Sequence, residues 1–353
     1  MFTSKARNHV SALFILKYLW VCGDAGRVGG TASHPGQRQL LSIRVSGRRS
    51  ADGKGVHVMD VAMIGLGIMG SAMSRHLMAH GFRVLGYDPA AEQASAFTDA
   101  GGEHLESVRD IAQRASFVVT SLPSSSAAEQ VCRELAKDAV PGLIVVETST
   151  LPMDVKTSCR ERLSGVGAIL LDCPLSGTGA QALNRDVVVY GSGDETAFEA
   201  VRNVLEAFSR RVVYVGAFGN GSTMKYVANL LVAIHNVSTA EAFALGMRAG
   251  LDPQQLWDTV RDGAGGSVIF DKRGKLMIDE QYLPATAKVS MFVKDVSIVR
   301  KYAQSLDLPT PLLDATVHLY DRAVNQGLAD ADAAALLSFM KTDHIDATTE
   351  GKS

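Results

Sequence analysis

The sequence of 353 residues predicts an α/β fold, a doubly wound and mostly parallel sheet followed by a region built only of helices. Three observations predict it. A short apolar strand runs into a glycine-rich turn and then a helix. Strands alternate with helical segments as far as residue 215, and the strand pattern stops after Gly219. Such alternation implies a sheet whose crossovers are helices packed on its faces.

Residues 60–64 read as a short buried strand. It runs into Gly65-Leu66-Gly67-Ile68-Met69-Gly70, and an amphipathic helix is expected over 71–80. Strand, GxGxxG and helix in this order make the dinucleotide turn of a Rossmann-type sheet. Gly65 permits the tight turn, Gly67 lets backbone approach a pyrophosphate, and Gly70 packs helix against strand. The helix N-terminus offers unpaired N–H groups and a partial positive charge to the phosphates. The second strand, within 81–88, ends in Asp88, 21 residues after Gly67. A carboxylate there accepts hydrogen bonds from the adenosine ribose and repels a 2′-phosphate, so NAD is favoured over NADP. No arginine follows at 89–92 to receive that phosphate.

Further strands are expected at 117–121, 143–147, 168–172, 187–190 and 212–215. Residues 222–345 read as almost wholly helical, with breaks at Asp252-Pro253, Leu283-Pro284 and Pro309-Thr310-Pro311. The expected organisation is a cofactor-binding domain at 59–221, an α-helical substrate and dimerisation domain at 222–345, and a short tail at 346–353.

The net charge of −2 is a sum of unlike parts. Residues 1–58 carry nine basic and two acidic residues, and the rest carries 26 basic and 35 acidic. An acidic body argues against a nucleic-acid partner, which needs positive surface against phosphate. The first 58 residues read as a non-native or dispensable extension before Met59, as a transit segment rich in Arg and Ser, or as a poor secretion signal. A cytoplasmic protein is expected, or a mitochondrial one if that segment is a transit peptide. The longest apolar run there, 10–22, is interrupted by Lys17 and is short for a bilayer span, so no membrane partner is expected. Cys22, Cys132, Cys159 and Cys173 have no metal-ligand spacing and read as small buried hydrophobes.

Chemistry points to the junction of the two domains. Residues 219–229 open the first long helix, and Lys225 and Asn229 at i and i+4 share one of its faces. The following stretch, 230–234, is fully apolar, so the helix is expected to be buried nearly all round. Desolvation lowers a lysine pKa and suits it to proton transfer near neutral pH. On the same helix His235 points away from Lys225 and reads as structural, whereas Asn236 shares its face and is a candidate support.

Four separated motifs resemble the β-hydroxyacid dehydrogenase family, which includes 3-hydroxyisobutyrate dehydrogenase and tartronate semialdehyde reductase. The resemblance covers residues 60 to about 340. Gly65 to Gly70 is similar to its dinucleotide fingerprint, and Asp172-Cys173-Pro174-Leu175-Ser176-Gly177-Thr178 to its substrate segment. Residues 219–229 resemble its catalytic helix, and Phe292-Val293-Lys294-Asp295 its late lysine–aspartate motif.

The resemblance implies Lys225 as general acid/base, Asn229 as its partner in catalysis, and Ser176 and Gly177 as carboxylate holders with Thr178 beside them. It implies cofactor contacts from Leu66, Ile68 and Met69 in the glycine turn, from Leu122 and Pro123, from Thr150 and from Lys294. It further implies a small carboxylate-bearing substrate, no metal, and a homodimer or homotetramer. Two departures bear on the substrate. Thr178 stands where the family has a second glycine, and Arg185-Asp186-Val187 where it has Gly-Thr-Leu. Imine reduction and a non-catalytic NAD-binding module are the rival readings on this scaffold; both lose the lysine, and Lys225 is present.

Overall fold

The computed structural model describes residues 60–341. The expectations for residues 1–58 and for the 346–353 tail lie outside the described residues. In chain order the first part runs β1 (Asp60–Ile64), α1 (Ile68–Ala79), β2 (Arg83–Tyr87), α2 (Ala91–Asp99), β3 (Glu103–His104), α3 (Val108–Arg114), β4 (Phe117–Thr120), α4 (Ser125–Asp138), β5 (Ile144–Glu147), α5 (Met153–Ser164) and β6 (Ile169–Asp172). These six strands form one sheet, parallel throughout, in the order β3-β2-β1-β4-β5-β6. The order reverses between β1 and β4, and in such sheets ligands bind beyond the carboxyl ends of the strands at that point.

The strands are apolar on both faces because helices cover both. Val61, Met63, Val119 and Val146 point into one core, and Ala62, Ile64, Val118 and Val145 into the other. That continuous apolar run, rather than alternation with polar residues, is what a doubly covered parallel sheet requires.

Next come β7 (Leu175–Ser176), α6 (Gly179–Leu183), β8 (Val188–Gly191), α7 (Glu195–Phe208) and β9 (Arg211–Tyr214). The expected single sheet is corrected here. These strands form a second sheet, β7-β8-β9, with β7 antiparallel to β8 and β8 parallel to β9. Pro174, two residues past β6, has no N–H for a ladder and ends the first sheet there. Strands β3 and β7 were not expected; at two residues each they show no periodicity to read.

The remaining elements are helical: α8 (Asn220–Arg248), α9 (Pro253–Val260), α10 (Val268–Ile278), α11 (Val289–Ser305), α12 (Pro311–Asn325) and α13 (Leu336–Met340). The anticipated proline breaks fall where helices begin or between them, with Pro253 and Pro311 in the first turns of α9 and α12. Helix α8 is the spine, carrying Tyr226, Ala233, Val237, Ala240 and Phe243 into the core of this region. By length and hydropathy α8 resembles a membrane span, a property it shares with core helices.

Two expectations about helices need correction. Helix α1 starts at Ile68, inside the glycine motif, because Gly67 already serves as its N-cap. Nor is α8 buried all round: Met224, Val227, Leu231 and Leu245 are 43%, 54%, 47% and 74% exposed. The described helices pack on its other sides. Cys132, Cys159 and Cys173 are buried free thiols.

Candidate active site

The glycine turn lies at the carboxyl end of β1. Gly65 has φ +90°, and a Cβ there would fall 2.2 Å from the carbonyl oxygen of Ser121. A Cβ on Gly70 would fall 1.8 Å from the Gly65 oxygen, so α1 crosses the turn too closely for any side chain. Over Gly67 the space is open, with nothing within 4 Å of a built Cβ. No side chain caps the N-terminus of α1, which leaves its first N–H groups for an anion. Asp88, just past β2, accepts from Leu66 N at 2.8 Å and from Ala90 N at 2.9 Å. An ionised carboxylate has about four acceptor sites, so two remain for ribose hydroxyls. The turn therefore fits a dinucleotide.

Lys225 and Asn229 lie one turn apart on α8. Asn229 Nδ2 donates to Asp295 Oδ2 at 2.9 Å, and the neighbouring Asp295 oxygen is 3.3 Å from the Lys294 ammonium. Lys294 Nζ also donates to the Thr150 carbonyl at 3.4 Å. So α8, α11 and the turn after β5 converge, bringing together Lys225, Asn229, Thr150 and Lys294. Burial pushes the Lys225 ammonium below the ordinary lysine range; the Asp295 charge opposes this and the Lys294 charge adds to it. Beside this cluster a cleft of about 490 Å³ is lined by Pro123, Ser124, Thr150, Leu151, Lys294 and Ser297, among others. Leu122 N donates to Ser149 Oγ at 2.8 Å, which joins the loop after β4 to the turn after β5.

Comparison with known proteins accords with this layout. The family profile for the NAD binding domain of 6-phosphogluconate dehydrogenase matches residues 60–216, and that for the NAD-binding region of NADP-dependent 3-hydroxyisobutyrate dehydrogenase matches 219–340. An L-threonate dehydrogenase of Cupriavidus necator is 32% identical over 282 residues, which span 79% of this chain and 95% of that protein. The chain belongs to the β-hydroxyacid dehydrogenase family. The mitochondrial 3-hydroxyisobutyrate dehydrogenase of Mus musculus is 28% identical over 292 residues, covering 80% of this chain and 87% of that one. The crystal structure of a 3-hydroxyisobutyrate dehydrogenase from Salmonella typhimurium matches with a TM-score of 0.72 at 28% identity, covering 80% of this chain and 99% of that one. An imine reductase of Streptomyces aurantiacus matches with a TM-score of 0.56 at 21% identity, covering 80% of this chain and all of that one, which is a likeness of fold.

As a member of that family the protein binds a nicotinamide dinucleotide and acts on a CH–OH group. The segment like the family's substrate loop follows β6 in this dehydrogenase. Ser176 pairs through its backbone with Val188, and its hydroxyl makes no hydrogen bond with the described residues. Gly177, at φ +147°, would place a Cβ 2.8 Å from Val187 Cγ1. Thr178 does something its sequence position did not announce: its Oγ1 accepts from Gln181 N, and Gln181 Oε1 accepts from Thr178 N, a capping box that starts α6. Arg185, in place of the family's glycine, keeps a left-handed backbone at φ +57°. Asn236 is no support for Lys225. Its amide donates to Tyr320 Oη and to the Ala333 carbonyl in the helical core, because eleven residues of helix carry it about 16 Å along the axis.

Three residues at the base of the site carried no prediction as site residues. Lys156, Glu147 and Asp172 are 1%, 3% and 0% exposed and form a buried charge cluster. A signal was present, since consecutive parallel strands each end in an acid, and two buried acids side by side call for a cation.

Proposed function

We propose that this dehydrogenase oxidises a small β-hydroxy acid, of the size of 3-hydroxyisobutyrate or L-threonate, with NAD as cofactor and Lys225 as general acid/base. The observation that carries the proposal is the half-buried Lys225 on α8, with a lowered pKa, beside Asn229, Asp295 and Lys294 at the dinucleotide side of the sheet. The nicotinamide, when bound, supplies the hydride acceptor. Lys225 takes the substrate hydroxyl proton in oxidation and returns it in reduction. Asp295 fixes Asn229 through Nδ2, which leaves Oδ1 to accept from Lys225 or the substrate hydroxyl. Ser176 Oγ and Gly177 N hold the substrate carboxylate, with Thr178 setting the start of α6 beside it. Lys294 closes the site over Leu122, Pro123 and Thr150. Residues 59–353 carry a net charge of −9, so an anionic substrate is held by these local donors and not by the overall field.

Asp88 selects NAD. A 2′-phosphate would meet its carboxylate, and like charges in contact cost several kcal/mol. The test follows NAD reduction with L-threonate, 3-hydroxyisobutyrate, glycerate, 3-hydroxypropionate and serine. At least one is turned over, and kcat/KM with NAD exceeds that with NADP by more than about tenfold. Preference for NADP overturns the role of Asp88; failure with every acid overturns the substrate class.

A homodimer or homotetramer is also proposed. It is supported by the exposed apolar row Met224, Val227 and Leu231 on α8, which a monomer would leave in water. Sedimentation as a monomer at micromolar concentration would remove this part of the reading.

A further inference from the structure

We propose that Lys156 is a positioning residue, a buried hub that ties the two cofactor-side loops to the helix that carries Lys225. The inference rests on the dehydrogenase reading above. Glu147 ends β5 and Asp172 ends β6, and the two are register partners across adjacent parallel strands. Lys156 comes from the first turn of α5, the crossover between those strands, and closes over both ends. Its ammonium is 2.6 Å from Glu147 Oε2 and 2.7 Å from Asp172 Oδ1. Burial alone would lower its pKa, but the two carboxylates outweigh that and raise it, so it stays charged.

Each carboxylate spends its other oxygen on a different part of the site. Glu147 Oε1 accepts from Ser149 N at 2.8 Å, and Ser149 Oγ accepts from Leu122 N at 2.8 Å. One arm therefore fixes the turn at Thr150 and the loop at Leu122 and Pro123. Asp172 Oδ2 accepts from Ser222 N at 2.7 Å, and Asp172 Oδ1 accepts from Ser222 Oγ at 2.8 Å. Ser192 Oγ accepts from Gly221 N at 3.0 Å and donates to the Asp172 carbonyl at 3.0 Å. Gly219, the N-cap of α8, has no side chain to cap with, so these two remote residues cap the helix instead. The second arm thus sets the rotation and height of the turn from which Lys225 projects. A strut joins the arms farther out: Tyr226 Oη donates to the Leu151 carbonyl, next to Thr150.

The geometry makes the arms separable. A glutamine at 147 has one acceptor oxygen, which the Lys156 ammonium claims, so its NH₂ faces the Ser149 N–H and releases the turn. An asparagine at 172 likewise turns its NH₂ on Ser222 N and releases the start of α8.

The experiment compares Glu147→Gln, Asp172→Asn and Lys156→Arg in the full-length protein. It reads the NAD Kd by calorimetry, kcat, and the primary deuterium isotope effect with acid labelled at the reacting carbon. For Glu147→Gln the larger loss falls on NAD affinity, about tenfold, the worth of one charge-assisted hydrogen bond. For Asp172→Asn it falls on kcat, on the order of 10- to 100-fold, with a larger isotope effect as a misplaced Lys225 slows the chemical step. Lys156→Arg keeps the charge and recovers more of both than either neutral variant. Variants that lower only the unfolding midpoint, or that show one common split between Kd and kcat, overturn the proposal. The NAD titrations need no turnover: if wild type oxidises no acid, the substrate reading fails by itself. Glu147→Gln must then still weaken NAD more than Asp172→Asn does, and an equal effect overturns the hub.

Discussion

Lys225→Met lowers kcat by on the order of 10²- to 10⁴-fold, the share that general acid–base catalysis supplies, while NAD still binds. On the proposed reading the dinucleotide is held by the α1 N-terminus, Asp88 and the loops after β4 and β5, none of which the substitution touches. The check is steady-state turnover beside calorimetric titration of NAD; a variant that keeps near-wild-type turnover would falsify the mechanism.

The pH dependence carries a sign. With Lys225 as the proposed base, oxidation needs the neutral amine, so the wild-type rate rises with pH through a midpoint below the ordinary lysine value of 10.5 and levels off above it. Reduction needs the ammonium and falls with pH through the same midpoint. The Asp295 charge raises the Lys225 pKa, so Asp295→Asn moves both limbs to lower pH. The Lys294 charge lowers it, so Lys294→Gln moves them higher. Stability should rise with pH over the same range as the oxidation rate. Folding disfavours this ammonium, and below its folded pKa the lysine is charged in both the folded and unfolded chain, so the cost of burying it is paid in full. That cost fades as pH rises towards 10.5. Lys225→Met removes it, so the thermal midpoint at neutral pH holds or rises even as activity is lost, as expected where function is bought with stability.

The parts of this site that were legible in the sequence depend on short spacings. The glycine turn is six consecutive residues, and Lys225 with Asn229 is a single helical turn. Strands β1, β4, β5 and β6 were legible because burial on both faces demands unbroken apolar runs. What stayed hidden depends on distance along the chain. Lys156 sits in Met-Asp-Val-Lys-Thr-Ser, which reads as the solvated first turn of an ordinary helix; it is buried because residues 9 behind and 16 ahead present carboxylates at the same height of the sheet. Thr178 was placed by its position in a motif; that its hydroxyl also caps α6 was not read, though an N-cap needs only a helix starting at the next residue. Asn236 was placed on the right face of α8 but not at the right height, since face follows from periodicity and height follows from what packs where. Leu230, Leu231 and Val232 show a similar limit. Their apolarity was evident, but that Leu231 stands 47% exposed was not.

Lys156→Met should destabilise the fold by about 3–5 kcal/mol, the cost of leaving buried charge without its partner. Methionine fills most of the lysine's volume, so the loss comes from electrostatics and not from a cavity. Two carboxylates on adjacent strand ends, 3% and 0% exposed, then face one another with no cation. Adding Glu147→Gln removes the repulsion and leaves Asp172 with the donors it already has, Ser222 N, Ser222 Oγ and Ser192 Oγ. The double variant is therefore more stable than Lys156→Met alone, a reversal that independent sites would not give. The pH response separates this account from loss of packing. In Lys156→Met a carboxylate must take up a proton to stay buried, so its folded pKa rises above its unfolded one. Below that folded value the folded chain binds more protons than the unfolded one, and stability increases as pH falls from it towards the unfolded value. Urea unfolding at a series of pH values measures this directly. The gap between Lys156→Met and wild type narrows on acidification if the charges are responsible. A gap that is constant across pH, or a double variant less stable than the single one, would mean that Lys156 holds these strand ends by packing.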